Sequence, residues 1–399
     1  MANTLKFGNG EWYGKKDTIL AYNDENNNYK PLPFDFSRAS SATRVNKAGL
    51  IETVGSGEPR IDFKDNTKGA LLLEPSRTNL ITNSNNLTTW NGAAMTRTFV
   101  DDLINPSSVL GGSKLTQTSS GGYAWLSRTF TGNETFSAFV KKDSSNFARL
   151  YAANNTVYFD IVNGTIETEV GSDITDKSII DYGNGWFRVS MSVNSTAASY
   201  VRIYPASSGS SSSGTNSLFV YGTQLEQGSY ATSYIPTSGS AVTRLADACN
   251  NGGNEQVINS TEGVFYAEVE NSSPSTSTRG WVLQSSLNNG SDLISIRFNS
   301  SQLINMYLRA NSVTTINVNV SNTYNGFIKI ALKYKSGENS LWINGVEVHS
   351  NSTTFSFSNS LSNLSNYDGL GNYGYFNIKD TKLYNTALTD NELQKLTTI

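Results

Sequence analysis

The chain has one cysteine, Cys249, and one histidine, His349, in 399 residues. A lone cysteine excludes an intrachain disulfide, and the pair is too few for a zinc site. Cys249 reads as a small buried hydrophobe. A Ser-His-Asp triad would have to use His349, which ends an expected strand beside a hairpin, and no Gly-x-Ser-x-Gly elbow occurs. Charged residues are only 16% of the chain, the net charge is −3, and no Lys/Arg cluster appears, so the electrostatic footprint of a nucleic-acid binder is missing. No stretch of about 18 apolar residues occurs, and no membrane insertion is expected. Met1-Ala-Asn-Thr-Leu-Lys-Phe7 lacks a charged start followed by an apolar run and does not read as a secretory signal. No coiled-coil heptads are visible.

What is present is β-type. With so little charge, Ser, Thr, Asn and Gly must cover the surface, a composition poor for helices and typical of β proteins that work outside a cell. Aromatics are 11%, suited to half-buried strands and to sugar-stacking surfaces. A chain this long predicts two or three domains. Residues 1–80 read as a small, irregular β module, turn-rich at Asn9–Gly14 and at Tyr22–Asn28. Residues 81–247 carry short strands every 8–12 residues, among them Tyr123–Phe130, Phe147–Ala152, Trp186–Val193 and Ser199–Tyr204, which predicts an antiparallel jelly roll. In Trp186–Val193 the face Phe187, Val189, Met191, Val193 is expected to be buried and Trp186, Arg188, Ser190, Ser192 to lie opposite. Asn163-Gly164 is a hairpin signal. Residues 248–399 predict a second sandwich, with Asn344-Gly345 as a type I′ turn and a short helix over Thr389–Leu396 capped by Thr389 or Asp390. The fold class is all-β: a small N-terminal module followed by two antiparallel jelly-roll or β-sandwich domains.

The chemistry that such a scaffold can carry narrows quickly. Glycoside hydrolysis needs two facing carboxylates. The nearest run is Glu268-Val-Glu270-Asn-Ser-Ser273, in which the first two acids alternate onto one face and the third position is Ser273; an edge-strand charge pair is the simpler reading. No catalytic set emerges, and the chain is expected not to be an enzyme. No cofactor is required, although Asp292, Asp368 and Asp380, in or near loops, are candidates for a Ca2+ ion of the kind sandwich modules hold. Sugar binding would use exposed aromatics stacking on pyranose faces. The candidates are Tyr123 and Trp125, on one strand face beside Gly121-Gly122, then Trp281, which follows Arg279-Gly280, and Tyr373 and Tyr375 in Gly371-Asn-Tyr-Gly-Tyr-Phe376. Most aromatics chosen on such grounds pack in cores or against subunits.

Arg38-Ala-Ser-Ser-Ala-Thr-Arg44, Gly49-Leu-Ile-Glu52, Pro59-Arg60 and Leu72-Leu-Glu-Pro-Ser-Arg-Thr-Asn79, in that order, resemble the N-terminal module of phage virion fibre and spike proteins. Residues 81–247, ending in Gln224–Thr237 and Thr243-Arg-Leu-Ala-Asp247, resemble the carbohydrate-binding-module-like jelly roll of such proteins. Trp342-Ile-Asn-Gly-Val346 and Ile378–Thr389 are similar to a laminin-G or concanavalin-like sandwich. The resemblance implies a virion component, a tail or head fibre and commonly a homotrimer. It would be attached to capsid or tail proteins through residues 1–80 and would display lectin-like domains to host surface glycans. The alternatives are a spike that degrades polysaccharide and a structural spacer of the virion.

Overall fold

The computed structural model describes residues 5–23, 28–271, 279–299, 301, 303–320, 324 and 326–399. Ser273 and part of the turn expected at Tyr22–Asn28 lie outside them. Apart from a 3-10 turn at Leu87–Thr89 and the helix Asp390–Thr397, the regular elements are β-strands. The chain forms two compact units rather than the three domains read from the sequence: residues 1–47, 54–75 and 245–399 make unit 1, and residues 48–53 and 76–244 make unit 2.

Unit 1 is a sandwich assembled from separate pieces of chain. Its larger sheet runs in the order Ala248–Asn250, Asn28–Ser37, Thr18–Asn23, Leu5–Gly8, Asn377–Tyr384, Glu262–Glu270, Ile328–Lys335, Asn339–Ile343 and Val346–Asn351. The N-terminal strand Leu5–Gly8 therefore pairs antiparallel with the penultimate element of the chain, Leu5 opposite Leu383. That pairing corrects the separate 1–80 module: a few short strands cannot bury a core alone, and these complete the sheet of the C-terminal sandwich. The second sheet orders Val313–Val320, Ile304–Ala310, Leu293–Phe298, Arg279–Ser285 and Leu361–Ser365. Leu5, Phe7, Phe34, Phe265 and Ile330 from the first sheet meet Trp281, Ile294, Met306 and Leu364 from the second in one core.

A buried charge cluster ties these pieces together. Asp247 accepts from Arg38 Nη1 at 3.1 Å, from Arg60 Nη2, and from the Glu74 backbone N–H at 2.8 Å. Arg60 Nη1 also donates to Glu74 Oε2 at 2.5 Å, and Arg38 Nη2 to the Gly55 carbonyl at 2.7 Å. The side chains of Arg38, Arg60 and Asp247 have no exposed surface. Two guanidinium groups face two carboxylates, so the cluster is neutral, which is the condition for burying charge. Burial alone would lower the Arg60 pKa, but Asp247 and Glu74 outweigh it and raise it. Arg38, Arg60 and Glu74 all come from the motifs quoted above: in this fold they are internal fasteners. Asn344 and Gly345 both have positive φ (48° and 84°), as the type I′ turn requires. The C-terminal helix begins after Thr389, whose backbone N–H donates to Glu392 at 2.8 Å, a capping interaction as expected.

Unit 2 is a sandwich of two six-stranded antiparallel sheets. One orders Asn91–Ala93, Tyr123–Thr129, Ala198–Ala206, Phe147–Ala152, Asn155–Asp160 and Thr165–Val170; the other orders Met95–Ile104, Leu110–Gln117, Ser217–Gln227, Gly132–Lys142, Trp186–Ser195 and Ile174–Asp181. Ala124, Leu150, Phe159 and Ile203 of the first sheet pack with Leu115, Phe136, Val189 and Val220 of the second. Both faces of Trp186–Val193 are buried, because Trp186 packs with Phe139, Tyr221 and Tyr234 in a second cluster behind the sheet. Asn79 fastens this unit: its Nδ2 donates to the carbonyls of Thr223 and Ile235, and its Oδ1 accepts from the N–H groups of Ile81 and Leu225.

Candidate functional site

The period of two that sends Ala124, Val201, Ile203, Ala148 and Leu150 into the core of unit 2 sends their neighbours to the other face of the same sheet. That face carries Tyr123 and Trp125 on one strand, Tyr200, Arg202 and Tyr204 on the next, Arg149 and Tyr151 on the third, and Tyr158 on the fourth. Register brings them into contact: Arg202 stands opposite both Trp125 and Tyr151, and Arg149 opposite both Tyr204 and Tyr158. The Arg202 guanidinium lies 4.6, 4.4 and 4.8 Å from the ring centres of Tyr123, Tyr151 and Tyr200, and donates to the Tyr204 hydroxyl at 3.2 Å. Arg149 lies 4.3 Å from the Tyr204 ring and 5.3 Å from Tyr158, and its Nε donates to Thr156 Oγ1 at 2.8 Å.

Neither guanidinium is in an ion pair with a carboxylate among the described residues. Their positive charge is held by ring faces instead, an arrangement worth about 0.5–1 kcal/mol per contact where water still reaches it. Burial raises the Tyr204 phenol above its ordinary range, although Arg202 and Arg149 pull it down, so the hydroxyl stays protonated at neutral pH. Trp125 meets Tyr200 edge-on at 4.9 Å, and Tyr200 is 37% exposed. Beside this ring pair is an open depression of about 310 Å³ lined by Ser127, Arg128, Thr129, Ala198, Ser199 and Tyr200. The result is an outward surface in which Tyr123, Trp125, Tyr151 and Tyr200 are partly exposed over the buried rings of Tyr158 and Tyr204, with fixed cationic donors between them. It has the chemistry to hold the apolar face of a sugar ring while donating hydrogen bonds to its oxygens.

Of the five aromatic candidates, Tyr123 and Trp125 thus share one face. Tyr373 and Tyr375 lie together in unit 1, ring centres 6.3 Å apart and stacked, with Tyr367 4.7 Å from Tyr373. Trp281 is a correction. It is 1% exposed, its indole N–H donates to Thr381 Oγ1 at 3.1 Å, and its ring lies 5.4 Å from Phe34. The strand already begins at Arg279, so Trp281 has the parity of Leu283 and points into the core with it. Sequence reading missed Arg149, Tyr151, Tyr200, Arg202 and Tyr204. The signal was there: Tyr200-Val-Arg-Ile-Tyr204 alternates with two aliphatic residues, so its polar and aromatic set must face away from them.

The three aspartates considered for Ca2+ are not assembled for it. Asp292 accepts from the Asn311 and Asn359 backbone N–H groups (2.9 and 3.2 Å), the Ser358 hydroxyl (2.9 Å) and Asn359 Nδ2 (2.8 Å). Asp368 accepts from the N–H groups of Leu370 and Asn372, from Asn372 Nδ2 and from Arg297. Asp380 pairs with Lys382 at 2.6 Å. The oxygens of Asp292 and Asp368 are thus engaged by N–H and O–H donors, Asp380 has one oxygen on Lys382 and its Oδ1 buried without a hydrogen-bond partner, and no group of three or more metal-ligating residues occurs among the described residues. Glu268 faces Asp380 across the ladder, but it pairs with Lys379 at 2.7 Å, and Glu270 accepts from Asn377 at 2.8 Å. Burial raises the Asp380 pKa against the pull of Lys382. His349 sits in an outer strand with its Nε2 3.2 Å from Asn351 Nδ2.

No protein-family model matches the chain, and no curated protein does. Solved structures do align with it. The CBM40 of Ruminococcus gnavus IT-sialidase, bound to α2,3-sialyllactose, aligns at TM-score 0.31 and 15% identity over 35% of this chain and 83% of its own. Domain 4 of a GH43 extracellular arabinanase from Geobacillus stearothermophilus, in complex with arabinotriose, aligns at 0.30 and 14% over 42% and 82%. Trypanosoma rangeli sialidase aligns at 0.30 and 11% over 95% and 65%. The likenesses are thus to carbohydrate-binding modules and to β-sandwich regions of sialidases and glycoside hydrolases. The expectation that the chain is not an enzyme is withdrawn, since an enzyme stands among the structures it resembles.

Proposed function

We propose that the chain is a virion fibre or decoration protein that holds host-surface glycan on the outer sheet face of unit 2. The observation that carries the glycan part is the Arg202–Arg149 array, two cations with no acid partner among the described residues, laid on tyrosine rings beside the half-exposed Trp125 and Tyr200. The virion part rests on the ordered motifs of residues 38–79. In this reading the particle supplies multivalency: three chains per fibre would turn a single-site affinity of roughly millimolar strength into adhesion.

The test is a glycan-array screen of the purified chain, repeated with Trp125→Ala and Arg202→Gln, with each hit incubated overnight and examined for chain length. Binding that falls by about tenfold or more in both variants, the loss expected when a stacking ring or charged donor is removed, is the expected result. Binding unchanged in both variants, or no binding, overturns the site. Shortened glycan would make the chain a polysaccharide-degrading spike and direct the search to its carboxylates. Immunolabelling of particles checks the virion assignment separately.

A further inference from the structure

Unit 1 contains a cleft that the reading above does not use. Trp12, Arg44, Lys47, Pro59, Phe63 and Lys68 are its chemically distinctive walls, and it encloses about 320 Å³, at the small end of ligand sites. Three of its lining side chains are cationic and none is acidic. The Lys47 ammonium stands 5.5 Å from the Phe63 ring centre. Lys68 Nζ donates to a neutral acceptor, Asn9 Oδ1, at 2.7 Å. Two acids close by in sequence are engaged elsewhere: Asp62 accepts the Val45 and Lys64 backbone N–H groups at 2.8 Å each, and Asp65 pairs with Lys64 Nζ at 2.6 Å. Trp12 is fixed in place by its indole N–H, which donates to the Gly69 carbonyl at 3.0 Å. The absence of a side chain at Gly14 keeps the wall low, since a Cβ there would reach the Pro59 ring at 3.4 Å.

In a chain of net charge −3 with little charge of either sign, three cations converging on two aromatic walls is a local inversion of the surface. Trp12 and Phe63 offer apolar ring faces to a sugar, and the Lys47 and Lys68 ammonium groups offer donors to an anionic substituent. We propose that this cleft binds an acidic sugar residue, a pyranose bearing a carboxylate or a sulfate, with its ring against Trp12 and Phe63 and its charge facing Lys47 and Lys68. The site is independent of the sheet face of unit 2.

The experiment is calorimetric titration of the full chain carrying Trp125→Ala, which disables the unit 2 face, so that failure here and failure of that face are read separately. The probes are a hyaluronan hexasaccharide for the carboxylate, a sulfated carrageenan hexasaccharide for the sulfate, neutral maltohexaose, and inorganic sulfate. Lys47 and Lys68 are exposed, so Lys47→Gln with Lys68→Gln leaves the fold in place, as circular dichroism would verify. The expected result is binding of one or both acidic hexasaccharides and not of maltohexaose. It should weaken about tenfold or more in the double-lysine variant, and further when salt shortens the screening length from about 30 to about 8 Å. An unchanged affinity in that variant, inorganic sulfate binding as tightly as the saccharides, or no binding of either acidic probe would overturn the proposal.

Discussion

Arg60 in unit 1 and Arg202 in unit 2 show what one side chain becomes in two settings. Arg60 is fully buried, with Glu74 and Asp247 on its fork and Arg38 sharing Asp247. Every charge there is answered by another, and a closed cluster has nothing left to offer a ligand. Arg202 is laid among Tyr123, Tyr151 and Tyr200 with no carboxylate partner among the described residues. Its charge is oriented but not neutralised. The contrast separates two settings: a guanidinium closed off by acids fastens the fold, whereas one laid on rings at a partly exposed face keeps its charge available; ring stacking alone does not make the difference, since Arg188 lies over Phe139 and is buried.

The sharpest way to break the comparison is Asp247→Asn. The substitution leaves Arg38 and Arg60 buried with one fewer negative charge, and removing one partner of a buried network costs about 3–5 kcal/mol. We expect the urea midpoint of unit 1 to fall accordingly, with loss of hydrogen-exchange protection in Leu5–Gly8 and Ala248–Asn250. A change below about 1 kcal/mol would mean that water reaches the cluster and that the closed description is wrong. Arg202→Gln is the counterpart with a smaller effect. Three ring contacts and the hydrogen bond to the Tyr204 hydroxyl are lost, but no ion pair, so the stability of unit 2 should fall by about 1–3 kcal/mol. If Arg202→Gln unfolded its unit as thoroughly as Asp247→Asn unfolds the other, the outward array would be a fastening too.

The same contrast explains what the sequence could and could not reveal. Alternation placed Phe147–Ala152 to the residue, and Asn344-Gly345 announced its own turn. Long-range pairing was not legible: nothing in Leu5-Lys-Phe-Gly8 says that its partner is Thr381-Lys-Leu383 at the far end of the chain. The polar strand Ile174–Asp181 was missed because an edge strand half open to water needs no apolar stripe. The cluster residues Arg38, Arg60, Glu74 and Asp247 drew notice as motif letters, yet only the fold shows that their role is mutual neutralisation. Trp281 misled because it was picked out for following Arg279-Gly280, whereas its parity with Leu283 sends it into the core.

The gentlest probe of the comparison is pH, and it sets a third kind of charge beside the two arginines. Asp292 is held neither by a cation nor by rings but by N–H and O–H donors from Asn311, Ser358 and Asn359. Burial pushes its pKa up, but these donors outweigh it and leave the value below the ordinary aspartate range. A carboxyl whose folded pKa is depressed contributes stability above its unfolded value, about 3.9, and that contribution is lost as the pH falls through the folded value. The thermal midpoint of unit 1 should therefore drop as the pH falls below about 4, and Asp292→Asn should flatten the drop while leaving the cluster around Asp247 intact. Because Asn cannot accept at both side-chain positions, the variant should also be less stable at pH 7, by about 1–3 kcal/mol. An identical pH slope in the variant would show that another carboxylate controls the acid limb. Asp160 in unit 2, whose pKa its own turn donors likewise lower against burial, is not the group to expect there, since its effect belongs to the other unit.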